Sequence, residues 1–324
     1  MEAEVLISIV IPVKNGETWL SETIPAILEQ QVDGKMEIIA LDSGSTDNSL
    51  SILDSFQVRI IKIKPEDFNH GLTRNLGAQN ARGKFVVMTV QDAKPLSSLW
   101  LRELGRGFVD ETVAGVCGQQ VVQHDLNKNP AEWYRPISKP ELRKYQFSNK
   151  NEFQKLSPVE QLSICRWDDF NAMYRRDYLM KLPFQKTDFA EDVLWARDAL
   201  LAGYSIVYNP VAQVAHYHHE DYQYAFKRNF IVQYHFYKYF GVKPIVKRGI
   251  KRYLSIIKLL IKDRKVSFSD KLKWFKYNHQ SLQAINKSNA LILKGLSRGD
   301  DAELDKLYRE TNQTVPQALN SNSF

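Results

Sequence analysis

Residues 36–47 read MEIIALDSGSTD and give the first clear indication of the fold. The apolar run 36–41 has the composition of a buried strand, and Asp42 follows where that strand ends. The next residues, Ser45-Thr46-Asp47, are favoured N-caps, so we expect a helix that begins here and runs through Phe56. A buried strand followed at once by a capped helix is typical of α/β proteins.

The same alternation extends to both sides of this stretch. Further β-branched apolar runs predict strands at 6–13, 58–63 and 85–90, and helical patterns occupy 17–29 and 71–81. This spacing predicts right-handed crossovers and a mostly parallel sheet. Ligands bind beyond the carboxyl ends of such strands. We therefore expect binding loops at 14–16, 42–45, 64–71 and 91–93.

The second half of the chain is less regular. Strands are predicted at 113–122 and 205–215, and an amphipathic helix at 190–203 ends in a glycine. The region 124–163 is polar and aromatic and holds four prolines, so we expect a mobile loop or short helices there. Residues 170–182 mix apolar and charged side chains without a clear pattern.

Cysteine content and the N-terminus both indicate a cytoplasmic protein. The two cysteines, Cys117 and Cys165, make no disulfide framework and suit a reducing compartment. Glu2 and Glu4 precede only a short apolar run, whereas a signal peptide begins with basic residues and has a longer apolar region. No apolar stretch is long enough to span a bilayer.

The net charge of +7 is unevenly distributed. Residues 243–298 hold 15 Lys or Arg and two acids, a local charge of +13, and the rest of the chain carries −6. Apolar residues recur between these lysines, which predicts a basic amphipathic helical region at 241–311, between a main domain at 1–240 and a disordered tail at 312–324. The basic region suits an anionic membrane, a nucleic acid or an acidic polymer, and a solvated helical bundle is the alternative.

Two aspartates at strand ends are candidates for binding a nucleotide and a divalent metal. Asp42 can accept a hydrogen bond from a pyrimidine imide N–H, although a capped helix would explain the same residues. Asp92 can anchor a divalent metal beside a diphosphate, or be an ordinary turn residue. His216 and His218 share a face if the preceding strand continues, and one of them can complete a metal site with Asp92.

Residues at two predicted helix starts are candidates for phosphate binding and proton transfer. His70 and Arg74 lie at a predicted helix start, where their hydrogen-bond donors can face phosphates. The glycine spacing in 71–77 fits neither a P-loop nor a dinucleotide fingerprint, which disfavours kinases, ATPases and dehydrogenases. Glu191 and Asp192 suit a helix dipole, but a carboxylate held at a cleft can instead deprotonate a hydroxyl.

Together, and in this order, these segments resemble family 2 glycosyltransferases with the GT-A fold. The opening resemblance lies in IVIPVKNG at 9–16 and LDSGSTD at 41–47. Two further segments, 68–78 and 91–95, resemble the rhamnosyltransferase-like branch, whose members use dTDP-L-rhamnose to build bacterial surface polysaccharides. The match continues at 171–176, 190–196 and 214–218.

The resemblance implies a metal site at the end of the fourth strand. Asp92 would be the last acid of the family's metal-binding Asp-X-Asp motif, with His216 or His218 as a further ligand to Mg²⁺ or Mn²⁺. The first acid of that motif is replaced by Val90, an apolar residue that the rhamnosyltransferase-like branch tolerates.

The resemblance also implies the catalytic and donor-binding positions. Asp192 would be the general base with Glu191 beside it, and Asp42 would contact the base of the nucleotide. The full set of implied donor-binding positions is Pro12, Val13, Asn15, Asp42, Ser43, Asn69, His70, Gly71, Arg74, Gln91 and Asp92.

The activity that the resemblance implies is an inverting transfer of L-rhamnose from dTDP-L-rhamnose to a saccharide acceptor. Acceptors in this family are often lipid-linked, so we expect a peripheral position at the inner face of the cell membrane. The first alternative is the same fold with another donor, such as UDP-GlcNAc, UDP-Gal or GDP-mannose. The second is a non-catalytic carbohydrate-binding scaffold, and the third is a nucleic-acid binder, for which no recognised motif is present.

Overall fold

The computed structural model describes residues 5–134, 136–247, 250–262, 264–297 and 301–312. The chain divides into two compact units. The sheet unit comprises Met1–Val121 and Ile137–His216, and the helical unit comprises Val122–Pro136 and Tyr217–Phe324. The domain boundaries expected at 240 and 311 stay predictions. The expected tail lies outside the described residues, apart from the backbone of residue 312.

Strands and helices alternate through the first part of the chain, as the sequence predicts. A 3₁₀ turn at Pro65–Asp67 precedes the third helix. In order the elements are β1 (Val5–Val13), α1 (Glu17–Leu28), β2 (Lys35–Asp42), α2 (Ser49–Ser55), β3 (Arg59–Lys62), α3 (His70–Asn80), β4 (Phe85–Thr89), β5 (Lys94–Pro95), α4 (Trp100–Arg106) and β6 (Val113–Val121).

The middle of the chain forms short elements, and longer helices follow the last strand. In order they are α5 (Pro130–Trp133), β7 (Arg143–Tyr145), α6 (Lys150–Gln154), α7 (Pro158–Ile164), β8 (Asn171–Arg175), α8 (Arg176–Lys181), α9 (Glu191–Leu201), β9 (Ser205–Ala215), α10 (Tyr222–Phe240), α11 (Ile250–Lys262), α12 (Phe268–Ser297) and α13 (Asp301–Asn312).

One sheet organises the sheet unit, with strand order β3-β2-β1-β4-β8-β6-β9-β5 and β7 paired to β9. The first four strands in that order pair in parallel, because a helix crosses over between each successive pair. Strand β8 is antiparallel to both β4 and β6, and β9 runs parallel to β6. The carboxyl ends of β1, β2 and β4 therefore meet at one edge, where the expected binding loops lie.

Strand β8 was not predicted, and Arg175 explains why. This arginine is buried in the sheet, where its Nε donates to the carbonyl of Val113 at 3.0 Å and its Nη2 to that of Asp110 at 3.2 Å. A buried charge needs such partners to offset its lost hydration. Because a central strand normally lacks arginine, the mixed composition of 170–182 concealed a strand that is buried along its whole length.

The helix after β2 begins differently from the prediction. Helix α2 starts at Ser49, and its N-cap, Asn48, makes no side-chain capping bond. Oδ1 of Asp47 accepts from the N–H of Ser49, the first residue of α2, at 3.0 Å. The expected caps also bond to the preceding loop, since the Ser45 hydroxyl accepts from the N–H of Asn15 at 3.0 Å and Asp47 accepts from that of Glu17 at 3.1 Å. These side chains therefore join the loops after β1 and β2.

Branched aliphatic side chains from the sheet and from α1 fill the core of the sheet unit. Ile9 and Ile11 of β1 are fully buried, as are Leu20, Ile24 and Ile27, which share one face of α1. Each such burial contributes about 1.5–3 kcal/mol relative to exposure. This packing fixes the strand ends that carry the polar loops.

The helical unit is built mainly from α10 and α12. Helix α10 is capped by Asp221, which accepts from the N–H of Tyr224 at 2.7 Å, and it ends at Gly241 with φ +73°. Helix α11 packs Ile256 and Leu260 against Trp274 of α12. Among the described residues, no helix has the length and apolar character needed to cross a membrane.

Candidate active site

The loops after β1 and β2 are locked together by side chains. Asn15 has a left-handed backbone with φ +50°, and its Oδ1 accepts from the N–H of Thr46 at 2.8 Å. The N–H and the hydroxyl of Ser43 both donate to the carbonyl of Val13, at 3.0 and 3.2 Å. Pro12 lies half-buried in the same strand end. These sequence-predicted donor-binding residues are thus brought together at one sheet edge.

Asp42 shapes its own loop. The residue is 3% exposed, and its two carboxylate oxygens accept from the N–H groups of Gly44 and Ser45, at 3.2 and 3.1 Å. Each oxygen retains a lone pair for a further donor. The contact with a nucleotide base that the resemblance implies stays a prediction, and the observed bonds give Asp42 a structural role as well.

Gln91 links the end of β4 to the β1 loop. Its Oε1 accepts from the N–H of Lys14 at 3.0 Å, and its Nε2 donates to the carbonyl of the same residue at 3.1 Å. A Cβ built on Gly16 would lie 2.6 Å from this Oε1, so a larger residue at position 16 would displace the Gln91 side chain. Gln91 therefore holds two binding loops in register.

The start of α3 is tied to the segment that precedes α9. Asn69 caps α3 by accepting from the N–H of Leu72 at 3.1 Å, and its Nδ2 donates to the carbonyl of Thr187 at 2.8 Å. A Cβ on Gly71 would lie 2.5 Å from the carbonyl oxygen of Gln185. His70, in contrast, is exposed. The predicted phosphate-binding segment and the predicted catalytic helix are thus neighbours.

Arg74 lies in a different environment from the one that the sequence suggests. It is 5% exposed, its Nη1 lies 2.7 Å from Oε1 of Glu191, and its Nε lies 3.3 Å from Oδ2 of Asp169. Burial opposes its charge, but the two carboxylates outweigh that effect and raise the pKa of Arg74. These ion pairs place Arg74 beside the acidic start of α9, and its contact with a phosphate stays a prediction.

Asp192 is the half-buried member of the acidic pair. Its Oδ1 accepts from the N–H of the next residue, Val193, at 2.7 Å, and its Oδ2 accepts from the N–H of Asp169 at 3.5 Å. Burial and the nearby carboxylates of Glu191, Asp169 and Asp168 raise the pKa of Asp192 well above its ordinary value. A carboxylate with a raised pKa is a stronger base once it has ionised.

The residue before this pair has an unusual backbone. Ala190, the N-cap of α9, adopts the left-handed conformation with φ +63° and is buried. Alanine has a steric penalty there that glycine lacks, about 1 kcal/mol or more. The strained residue sets the direction in which Glu191 and Asp192 leave the loop.

Sequence reasoning missed the residues that surround Arg74 from the β8 side. Asp169 is buried and accepts a hydrogen bond from the Tyr174 hydroxyl, which in turn accepts from Nε1 of Trp167 at 2.6 Å. The one available signal was the adjacent acid pair at 168–169 ahead of β8. Without the fold, nothing indicated that this pair faces α3 and α9.

Asp92 and His216 come together beside the sheet. Their Oδ2 and Nε2 atoms lie 3.5 Å apart, and the His216 ring stacks on Phe170 with centroids 4.6 Å apart. Strand β9 ends at Ala215, just before this histidine, and His218 belongs to the helical unit. Val90 packs partly buried against the core. The sheet unit therefore holds a carboxylate and an imidazole at the position where the sequence predicts a metal site.

The comparisons with known proteins identify the family. The model of the glycosyl transferase family 2 matches residues 8–182. The chain belongs to glycosyltransferase family 2. This family 2 glycosyltransferase is 30% identical over 228 residues to the O-antigen chain rhamnosyltransferase WbaN of Salmonella anatum, and the match covers 69% of this chain and 70% of WbaN. It is also 30% identical over 230 residues to the O-antigen chain rhamnosyltransferase RfbN of Salmonella typhimurium, with the same coverage.

A solved structure supports the fold. The crystal structure of S. aureus TarS 1–349 has a TM-score of 0.51 to this glycosyltransferase at 15% identity, and the match covers 95% of this chain and 90% of that one. The predicted GT-A fold of this family 2 glycosyltransferase is therefore confirmed.

Proposed function

We propose that this glycosyltransferase transfers L-rhamnose from dTDP-L-rhamnose, with inversion, to a hydroxyl of a growing bacterial surface polysaccharide. The two Salmonella relatives support the sugar and the polymer, since both are named as O-antigen chain rhamnosyltransferases. The observation that carries the chemistry is the half-buried Asp192 carboxylate at the start of α9, with a raised pKa and backbone N–H groups holding both oxygens.

The proposed reaction is a single displacement. The acceptor oxygen bonds to the anomeric carbon while the bond from that carbon to the diphosphate oxygen breaks, and Asp192 takes the hydroxyl proton. One displacement from the opposite face inverts the anomeric configuration. Fixed orientation of the carboxylate favours this step, because a positioned general base contributes about 10²–10⁴-fold.

A divalent cation, Mg²⁺ or Mn²⁺, fits the side chains at the end of β4. Asp92 and His216 bring a carboxylate oxygen and an imidazole nitrogen within 3.5 Å of each other, a donor pair that suits such cations. We propose these two residues as ligands, and the role of His218 as a further ligand stays a prediction from the sequence. When bound, the cation would neutralise charge on the departing diphosphate.

The loops after β1, β2 and β4 form the proposed donor-binding surface. Asn15, Ser43 and Gln91 give it a fixed shape through the bonds described above. Pre-organised loops lose little conformational entropy on binding. In the proposal, Asp42 contacts the base, and the segment 69–71 approaches the diphosphate or sugar.

We also propose that the enzyme acts at the inner face of the cell membrane on a lipid-linked acceptor. The support lies in α11, whose exposed side includes Leu254, Ile257 and Ile261 at helical spacing. An apolar stripe beside basic residues suits the headgroup region of an anionic bilayer. Helix α11 contains no acid and four basic residues, which are Lys251, Arg252, Lys258 and Lys262.

Vesicle binding tests the membrane proposal. We expect the full chain to co-sediment with anionic vesicles and not with neutral ones. Replacing Leu254, Ile257 and Ile261 by serine should abolish this binding. Equal binding by this variant and the wild type would contradict the proposal. The matched control replaces three exposed valines of the sheet unit by serine and should bind as the wild type does; these are Val109, Val159 and Val211.

Nucleotide release from a donor panel tests the catalytic proposal. The panel holds dTDP-L-rhamnose, UDP-GlcNAc, UDP-Gal and GDP-mannose, each with Mg²⁺, Mn²⁺ or EDTA and a saccharide acceptor extract. We expect dTDP release from dTDP-L-rhamnose alone, lost with EDTA and in Asp192→Asn. Release from another donor would replace the sugar assignment, and the absence of both release and calorimetric donor binding would contradict an enzymatic role.

A further inference from the structure

A buried polar chain connects β8 to the start of α9 inside the sheet unit. Trp167 Nε1 donates to the Tyr174 hydroxyl, which donates to Oδ1 of Asp169, and the other Asp169 oxygen pairs with Arg74. Arg74 then pairs with Glu191 at 2.7 Å. All five side chains are buried.

This chain reaches the proposed base through Asp169. The main-chain N–H of Asp169 points to Oδ2 of Asp192 at 3.5 Å, while its side chain holds Arg74. Arg74 in turn holds Glu191, the residue bonded to Asp192 in the chain. Asp169 therefore contacts both Asp192, the proposed base, and the Arg74 guanidinium that holds Glu191.

We propose that Asp169 is a positioning residue for the Asp192 carboxylate. It fixes Asp192 directly through its N–H and indirectly through Arg74 and Glu191, so that one oxygen is presented to the acceptor hydroxyl. The proposal rests on the proposed role of Asp192 as general base. Neither the sequence patterns nor the named relatives assign a role to Asp169.

Stability alone does not explain such a cluster. Buried ion pairs contribute little to stability, because the lost hydration of the charges offsets their attraction, and apolar replacements are often as stable. A cluster of this kind beside a half-buried carboxylate is instead typical of sites where charge is adjusted for chemistry. The cost of burying Asp169 and Arg74 is consistent with that role.

The charged neighbours of Asp192 predict opposite effects for two variants. The surrounding acids raise the pKa of Asp192, and Arg74 lowers it. Removing the charge of Asp169 should therefore lower this pKa, and removing that of Arg74 should raise it. The titratable groups that face Asp192 come from α9, the segment before β8, α3, β8 and β6, and they are Glu191, Asp168, Asp169, Arg74, Tyr174 and Cys117.

The experiment measures kcat and the donor KM against pH for the full-length enzyme. In Asp169→Asn we expect kcat on the plateau to fall about 10–100-fold with the donor KM unchanged, because the base is misplaced. The acid limb of the pH profile, over which kcat rises with pH, should move to lower pH. In Arg74→Gln the limb should move to higher pH. Asp168→Asn, an exposed neighbouring carboxylate, is the charge control and should move the limb to lower pH while keeping the plateau.

The outcomes separate this inference from the proposed function. Full activity in Asp192→Asn would refute the base itself. If Asp192→Asn loses activity while Asp169→Asn keeps the wild-type plateau kcat and the wild-type acid limb, only the positioning role would be overturned. If Asp169→Asn fails to fold by circular dichroism, Tyr174→Phe removes the hydroxyl donor to Asp169 and keeps the ring. It should lower kcat at constant donor KM, and an unchanged kcat would overturn the proposal.

Discussion

Nη1 of Arg74 lies 2.7 Å from Oε1 of Glu191 although 117 positions separate the two residues. The ion pair turns Glu191 inward and leaves Asp192, the next residue, half-buried at the helix start. Two adjacent acids thus have different environments. The pairing gives Glu191 a structural role and leaves Asp192 as the more exposed acid of the two.

This difference predicts different defects for the two acids. Asp192→Asn should lower kcat at least about 10²-fold with little change in the thermal midpoint, because a general base is lost. Glu191→Gln should lower the free energy of unfolding by about 1–3 kcal/mol, because a hydrogen bond to buried Arg74 is weakened, and should lower kcat less than Asp192→Asn does. Steady-state kinetics and urea unfolding measure the two effects. Asp54→Asn, at an exposed position on α2, is the control and should change neither.

The pH dependence of transfer should report on Asp192. Burial and neighbouring carboxylates raise its pKa, so the group stays protonated to a higher pH than an ordinary aspartate. A protonated carboxylate cannot accept the hydroxyl proton. We expect kcat to rise with pH through the raised pKa and then to level off. An acid limb near the ordinary aspartate value, about 3.9, would contradict this environment.

Cation binding should depend on Asp92 and His216. We expect calorimetry with Mn²⁺ to detect one site in the wild type, weakened at least about 10-fold in Asp92→Asn and in His216→Gln through the loss of a ligand. Nucleotide binding measured with the cation should weaken in parallel. Unchanged Mn²⁺ affinity in both variants would remove these residues from the metal site, and Asp54→Asn again serves as the control.

Two glycines should respond oppositely to alanine. Gly71→Ala would bring a Cβ to 2.5 Å from the carbonyl oxygen of Gln185, so we expect a loss of about 1–3 kcal/mol in unfolding free energy. Gly105 lies exposed in α4, where a Cβ would meet no described atom beyond its own helix within 4 Å, and alanine there should add about 0.4–1 kcal/mol. Denaturant unfolding of both variants measures the difference. Equal shifts would show that the close approach at Gly71 relaxes freely.

An element could be predicted from the sequence where the residues that determine it lie next to one another in the chain. Strands β1 to β4 were predictable because the composition of apolar runs such as Ile9-Val10-Ile11 indicates a buried strand without further information. Strand β8 was not, because Arg175 obtains its partners from residues far along the chain. The same holds for Asp169, whose contacts with Arg74 and Asp192 exist only after α3, β8 and α9 have packed.

The left-handed backbone of Ala190 limits which sequences can occupy the entrance to α9. A β-branched residue at φ +63° would be strongly disfavoured, and the buried surroundings leave no room for a long side chain. Natural variation at this position should be confined to glycine and a few small residues. The acidic pair is therefore preceded by a position with a narrow range of permitted substitutions, and a library randomised at codon 190 would return few folded, active clones.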